Sequence, residues 1–172
     1  VKQIMLSGSG GQGMILAGII LARAAVRDGF EVTQTQSYGP EARGGASRAE
    51  VILDDEPIDF PKVTQADVLL AMTQEAADRF HTRLRPGGTL IVDPMLVHAV
   101  PAVDGPVHRV EITRLAREAT GRTITANIVA LGALNRICRV VTDQALLEAV
   151  LESVPRGTEE INRRALEAGM RG

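Results

Sequence analysis

With 172 residues and a formal charge of −2, the chain is sized for one domain with a full core and lacks the basic footprint of a nucleic-acid binder. Three Phe, one Tyr and no Trp leave the core to aliphatic side chains and remove the stacking platforms that single-stranded nucleic acid needs. Cys138 is the only cysteine, which excludes an internal disulfide and any four-cysteine cluster or zinc site built from this chain alone.

No apolar run approaches the ~20 residues that span a bilayer. No secretory leader is visible either, so no membrane role is expected and a cytoplasmic location is the default. The chain opens on Val1, which leaves room for a short preceding piece.

The apolar run Ile4, Met5, Leu6 fits a buried strand. Four glycines follow within six positions: Gly8, Gly10, Gly11 and Gly13. Glycine suits a strand-to-helix turn that needs positive φ and close backbone approach. The N–H groups opening the next helix lack internal partners, so such a turn can hold an anion. Residues 14–27 read as that helix, with Ile15, Ile19, Ala22 and Val26 at helical spacing and Gly29 as its C-terminal cap.

Residues 31–38 predict a second strand. Its run of Thr33, Gln34, Thr35 and Gln36 is too polar for a central position, so it belongs near a sheet edge or a partner surface. Tyr38 to Gly45 is loop by composition. Residues 47–53 predict a strand with no helix before it, which can make the sheet mixed. Pro57 and Pro61 bracket an extended crossing segment. Residues 67–72 form the clearest central strand, and 74–84 an amphipathic helix presenting Ala77, Phe80 and Leu84. A turn at Pro86-Gly87-Gly88 leads to a buried strand at 89–93.

After a Pro-rich loop, residues 107–112 predict a strand, and Thr113 caps a short helix over 114–119. Residues 125–140 predict a helix apolar around most of its girth, buried inside the domain or against another chain. Thr142 caps a helix over 143–154, and Thr158 starts a last one ending at Gly169. Strands alternating with helices indicate a single three-layer α/β/α, Rossmann-like domain over residues 1–172, with a mostly parallel sheet.

Gly8-x-Gly10-x-x-Gly13 matches the dinucleotide fingerprint, but the expected acid at the end of the second strand is missing: Glu31 stands at its beginning. No Gly-Lys-Ser/Thr follows, so a P-loop is excluded. A tight turn that binds nothing, a dinucleotide site and an anion or partner site all stay open. In the second loop, Arg43 precedes Gly44-Gly45, where a guanidinium can project above a sharply turning backbone and grip a carboxylate or phosphate; a solvated Arg43 paired to Glu41 is the plain alternative. Loops after parallel strands share one edge of the sheet, so the two glycine bends should meet there. His81, His98 and His108 form no triad or metal spacing, and Cys138 reads as packing. No catalytic residue is identified.

Gly8-Ser9-Gly10-Gly11-Gln12-Gly13, the run Gln36 to Ser47 containing Tyr38-Gly39-Pro40-Glu41-Ala42-Arg43-Gly44-Gly45, the run Glu56 to Pro61, the stretch from Asp67 to Ala76, Thr125-Ala126-Asn127 and Leu131-Gly132 together carry a resemblance. Over nearly its whole length the chain resembles the gamma subunit of 2-oxoacid:ferredoxin oxidoreductases, with the 2-oxoglutarate type most similar. The pyruvate, ketoisovalerate and indolepyruvate relatives share the domain. The resemblance implies oxidative decarboxylation of a 2-oxoacid with coenzyme A, giving an acyl-CoA and reduced ferredoxin. It implies no cofactor bound by this chain alone. Thiamine diphosphate, magnesium and iron–sulfur clusters are expected on alpha, beta and delta-type (ferredoxin-like) partners, with ferredoxin as acceptor. Gly8, Ser9, Gly10, Gly11, Gln12, Gly13, Tyr38, Glu41, Arg43, Gly44 and Gly45 are the expected ligand- or partner-binding residues, and no metal site is expected. A stand-alone nucleotide-binding module and a purely architectural subunit are the competing readings.

Overall fold

The computed structural model describes residues 2–38 and 45–172. Among them, six strands form one sheet: β1 (Lys2–Gly8), β2 (Glu31–Ser37), β3 (Ser47–Asp54), β4 (Ala66–Ala71), β5 (Leu84–Val92) and β6 (Val107–Arg109). Their spatial order is β2-β3-β1-β4-β5-β6. β1, β4, β5 and β6 pair in parallel, whereas β3 runs antiparallel to both β1 and β2. The sheet is therefore mixed, because the stretch between β2 and β3 is too short to carry a crossover helix. β2 is an edge strand, as its polar run predicts.

Helix α1 (Met14–Arg27) spans the predicted residues, with Gly29 at φ 87° completing its C-terminal cap. The helices α3 (Ile112–Thr120), α4 (Ala126–Cys138), α5 (Asp143–Ser153) and α6 (Glu159–Arg171) join α1 on one face of the sheet. The opposite face is covered by α2 (Gln74–Phe80) and by loop residues such as Val63, Val97 and Val103. The three layers are thus lopsided: the Pro-rich loop between β5 and β6 replaces a crossover helix.

Several local expectations are corrected. α2 stops at Phe80 and continues as a 3₁₀ turn, His81–Arg83, instead of reaching residue 84. His81 Nδ1 lies 3.0 Å from Ala77 O and 2.9 Å from Asp78 O; carbonyls only accept, so the imidazole N–H closes the helix end. Pro86-Gly87-Gly88 is not a turn between elements but a bulge inside β5, where the pairing jumps from Ala66↔Leu84 to Val68↔Thr89. β6 is only three residues long, and α3 begins at Ile112. Asp93 accounts for that early start: its buried carboxylate accepts from Thr113 N at 2.8 Å and Thr113 Oγ1 at 2.5 Å, and from Met95 N at 2.9 Å. Thr113 is therefore a donor inside the first turn, not the cap residue.

Gly169 lies within α6 rather than at its end. A Cβ there would sit 2.0 Å from Val129 O, and one on Gly132 would sit 2.4 Å from Leu166 O. The backbones of α4 and α6 touch directly. This answers where α4 is buried: Asn127 to Asn135 are covered on every side within the domain.

Candidate functional site

The carboxyl ends of β1, β2, β4 and β5 and the start of β3 lie along one rim of the sheet. β1 ends in the glycine turn there. Gln12 N donates to Ser9 O at 3.1 Å, closing the bend. The Gln12 side chain then braces it: Oε1 accepts from Ser9 N at 2.8 Å, and Nε2 donates to Met72 O at 3.1 Å, just past β4. Both ends of that amide are engaged by the protein itself.

The glycines of this turn differ in their reasons. A Cβ on Gly8 would lie 2.3 Å from Gln12 Oε1 and 3.1 Å from Met72 Cβ. Gly13 has φ 72°, and a Cβ on it would lie 2.6 Å from Asn127 Nδ2. These two are demanded by the fold. Gly10 and Gly11 are exposed, and a Cβ on either would meet nothing within 4 Å. Folding does not require glycine at those two positions, and the space above them is open to a ligand.

Ser47 joins the turn to the start of β3. Its Oγ donates to Gly8 O at 3.2 Å, with Ser9 O at 3.4 Å, and its carbonyl accepts from Ser7 Oγ at 2.8 Å. Tyr38 and Gly45, the described ends of the second loop, therefore belong to the same rim as the first bend, as Ser37 pairs with Arg48 and Gly8 with Ser47. Tyr38 is 67% exposed. Glu41, Arg43 and Gly44 lie outside the described residues.

The chain leaves β1 toward β2 on one side and leaves β4 toward β5 on the other, with α1 and α2 on opposite faces. The gap between β1 and β4 is thus a topological switch point, where open α/β sheets bind ligands. A cleft of about 500 Å³ opens there, lined by Gly11, Gln12, Thr113, Arg117, Thr123 and Ile124, among others. α1 starts behind it with no side-chain cap and no acid in its first turn. Arg117 is exposed and makes no ion pair or hydrogen bond to a described residue. Ile124, 76% exposed, adds an apolar wall. An uncapped helix start, a guanidinium without a partner among the described residues and the Thr123 hydroxyl suit an anionic ligand with an apolar part.

Sequence reasoning missed Arg117, Thr113 and the supporting Asn127, which packs beneath Gly13 with Nδ2 3.4 Å from Gly13 O. Arg117 carries no local signal, being one of several charges on a short helix more than a hundred residues from the turn.

The dinucleotide reading fares poorly. β3 intervenes between β1 and β2, whereas the dinucleotide fold sets its second strand directly beside the first. Glu31 pairs with Asp54 at the far end of the sheet from the turn. Cys138 is half-buried, and burial pushes its thiol up to about 11 against the opposing pull of Lys2. Among the described residues no three His, Cys, Asp or Glu side chains group as metal ligands, and no helix is long and apolar enough to cross a membrane.

The family model described as pyruvate ferredoxin/flavodoxin oxidoreductase matches residues 3–172. The chain belongs to this oxidoreductase family. It is 50% identical to 2-oxoglutarate synthase subunit KorC of Methanocaldococcus jannaschii, over 98% of this chain and 91% of that one. KorC of Methanothermobacter marburgensis is also 50% identical, over 98% and 94% of the two chains. The crystal structure of a keto/oxoacid ferredoxin oxidoreductase gamma subunit from Geobacter sulfurreducens superposes with a TM-score of 0.90 at 46% identity, covering 99% and 97% of the chains. A 2-oxoglutarate:ferredoxin oxidoreductase from Magnetococcus marinus, with 2-oxoglutarate, coenzyme A and succinyl-CoA bound, shares the fold at 24% identity and TM-score 0.88, over 99% of this chain and 30% of that one. The family is thus that of oxidoreductase gamma subunits, in line with the glycine-rim motifs.

Proposed function

We propose that this chain is the gamma subunit of a 2-oxoglutarate:ferredoxin oxidoreductase and that its glycine rim holds coenzyme A. The end-to-end 50% identity to KorC supports the first part. The open corner at Gly10 and Gly11, beside the cleft that Arg117 lines, supports the second.

In the overall reaction the 2-oxoacid loses carbon dioxide, its acyl carbon forms a thioester bond to the coenzyme A sulfur, and an electron pair passes to ferredoxin. Thiamine diphosphate and iron–sulfur chemistry fall to partner chains. Cys138 is a single, half-buried, protonated thiol and does not suit a cluster. The contribution of this chain is positional. Backbone N–H groups at the start of α1 and the Arg117 guanidinium hold phosphate, Thr123 offers a hydroxyl, and Ile124 covers an apolar part of the ligand. Binding energy from that remote portion fixes the sulfur where it can meet the acyl group.

The test is Arg117→Ala in the assembled enzyme. The expected result is a rise of about tenfold in KM for coenzyme A, corresponding to one lost charge-assisted contact, with KM for 2-oxoglutarate unchanged. An unchanged KM for coenzyme A overturns the ligand role and leaves the architectural reading standing. Activity restricted to another 2-oxoacid overturns the substrate assignment.

A further inference from the structure

A second basic cavity lies away from the glycine cleft. On the face of the sheet opposite α1, α2 packs over β4 and β1, and among the described residues no helix packs over β2 and β3 there. Thr35 pairs across from Glu50, and Ser37 from Arg48, so these four share that face. Together with Phe60, Lys62 and Arg83 they line a hollow of about 700 Å³.

Its charge runs against that of the whole chain. Three cations, Arg48, Lys62 and Arg83, face the single carboxylate of Glu50, in a protein whose formal charge is −2. Glu50 is buried and already committed: it accepts from Val63 N at 3.0 Å and meets Arg48 Nε at 3.1 Å and Arg83 Nη1 at 3.7 Å. The arginines are held in place as well. Arg48 lies 5.2 Å over the Phe80 ring, and Arg83 donates to Val63 O. Each guanidinium has five N–H donors, so most remain unspent. Lys62 is exposed and has no partner among the described residues.

An exposed aromatic ring stands at the same place. Phe60 is 59% exposed and lines the hollow. The chain has only four aromatic residues, and this one stands largely in solvent at the hollow. An exposed aromatic beside pre-positioned arginines is the composition of protein interfaces, where such residues dominate binding. A small anion would use the cations and leave the Phe60 ring wet. An edge strand of Thr and Gln, with no Lys or Pro to block pairing, adds a free row of backbone groups.

We infer that this basic hollow beside β2 and β3 docks an acidic segment of another subunit of the same enzyme. The inference rests on the gamma-subunit reading above. Carboxylates of that segment meet Arg48, Lys62 and Arg83, and an apolar side chain covers Phe60.

The experiment co-expresses the chain with the other subunits of its enzyme and measures association by native mass spectrometry and sedimentation. Lys62→Glu with Phe60→Ala is compared with the unmodified chain, across a salt titration. The expected result is association weakened about tenfold or more in the variant and weakened by salt in the unmodified chain. Thr35→Glu, on β2 itself, is a second variant should the first lose its fold by circular dichroism, and it should weaken association likewise. Association equal to that of the unmodified chain in either folded variant overturns the docking surface while leaving the gamma-subunit reading intact. Failure of the unmodified chain to join the other subunits overturns both. Loss of self-association instead, or phosphate binding at this face with assembly unaffected, assigns the surface to a second copy or a small anion and overturns the inference.

Discussion

The glycine turn separates fold from function by a single atom. Gly13→Ala places a Cβ in a left-handed backbone conformation at φ 72°, which costs about 1–2 kcal/mol for an L side chain. That Cβ would also lie 2.6 Å from Asn127 Nδ2 and 3.1 Å from Asn127 Cγ. Asn127 is buried, with its Oδ1 accepting from Ile128 N at 3.0 Å, so relief of the clash costs a further ~1–3 kcal/mol. The total is about 2–5 kcal/mol, or roughly a 10 °C fall in Tm for a chain of this size. Gly10→Ala meets nothing within 4 Å and has no positive φ. It should leave Tm unchanged or raise it slightly, by restricting the unfolded chain by about 0.4–1 kcal/mol. In the assembled enzyme it should nevertheless raise KM for coenzyme A, since the added methyl enters the space above the turn. Thermal melts of both variants and coenzyme A titrations of the assembled enzyme decide the matter. Equal destabilisation by the two substitutions would refute the packing argument. Unchanged coenzyme A dependence in Gly10→Ala would refute the ligand argument.

Gly169→Ala should be the most damaging glycine substitution in the helical layer, because its Cβ would sit 2.0 Å from Val129 O, a backbone atom that cannot swing aside. A loss of about 3 kcal/mol or more, read by urea unfolding, is expected. Asp93→Ala should cost a similar ~3 kcal/mol, since it strands the Met95 and Thr113 N–H groups. Loss of helical signal from α3 should accompany it. Cys138 should resist iodoacetamide at pH 8 in the native protein, because burial holds the thiol protonated up to about 11. In the unfolded chain the thiol ionises near its ordinary 9.0, so this stabilising contribution is complete below pH 9 and lost as pH climbs toward 11; rapid native alkylation at pH 8 would contradict it.

Local signals sufficed for much of this molecule. Periodicity and capping located α1 to its terminal residues, and Thr142 announced α5 because a hydroxyl before an acidic first turn satisfies an orphan N–H, here Ala145 N at 3.2 Å. The polarity of residues 33–36 already marked β2 as an edge. The paired glycine motifs, read as a family resemblance, reached the oxidoreductase family before any coordinates. Other features had no local signature. The bulge at Gly87 arises because β5 must stay in register with β4 while accommodating three extra residues, and Asp93 sets the start of α3 from the end of another strand.

Sequence by itself decided that the chain is α/β, that its first turn is built from glycine, and that one cysteine cannot hold a cluster; these follow from spacing and composition, which neighbouring residues carry on their own. Only the folded arrangement decided that β3 separates β1 from β2, that Arg117 and Gly11 line one cleft, and that Gly8 and Gly13 serve packing while Gly10 and Gly11 face open space. Those facts depend on contacts between residues distant in the chain. Loop closure and sheet order set such contacts, and no short window of sequence records them.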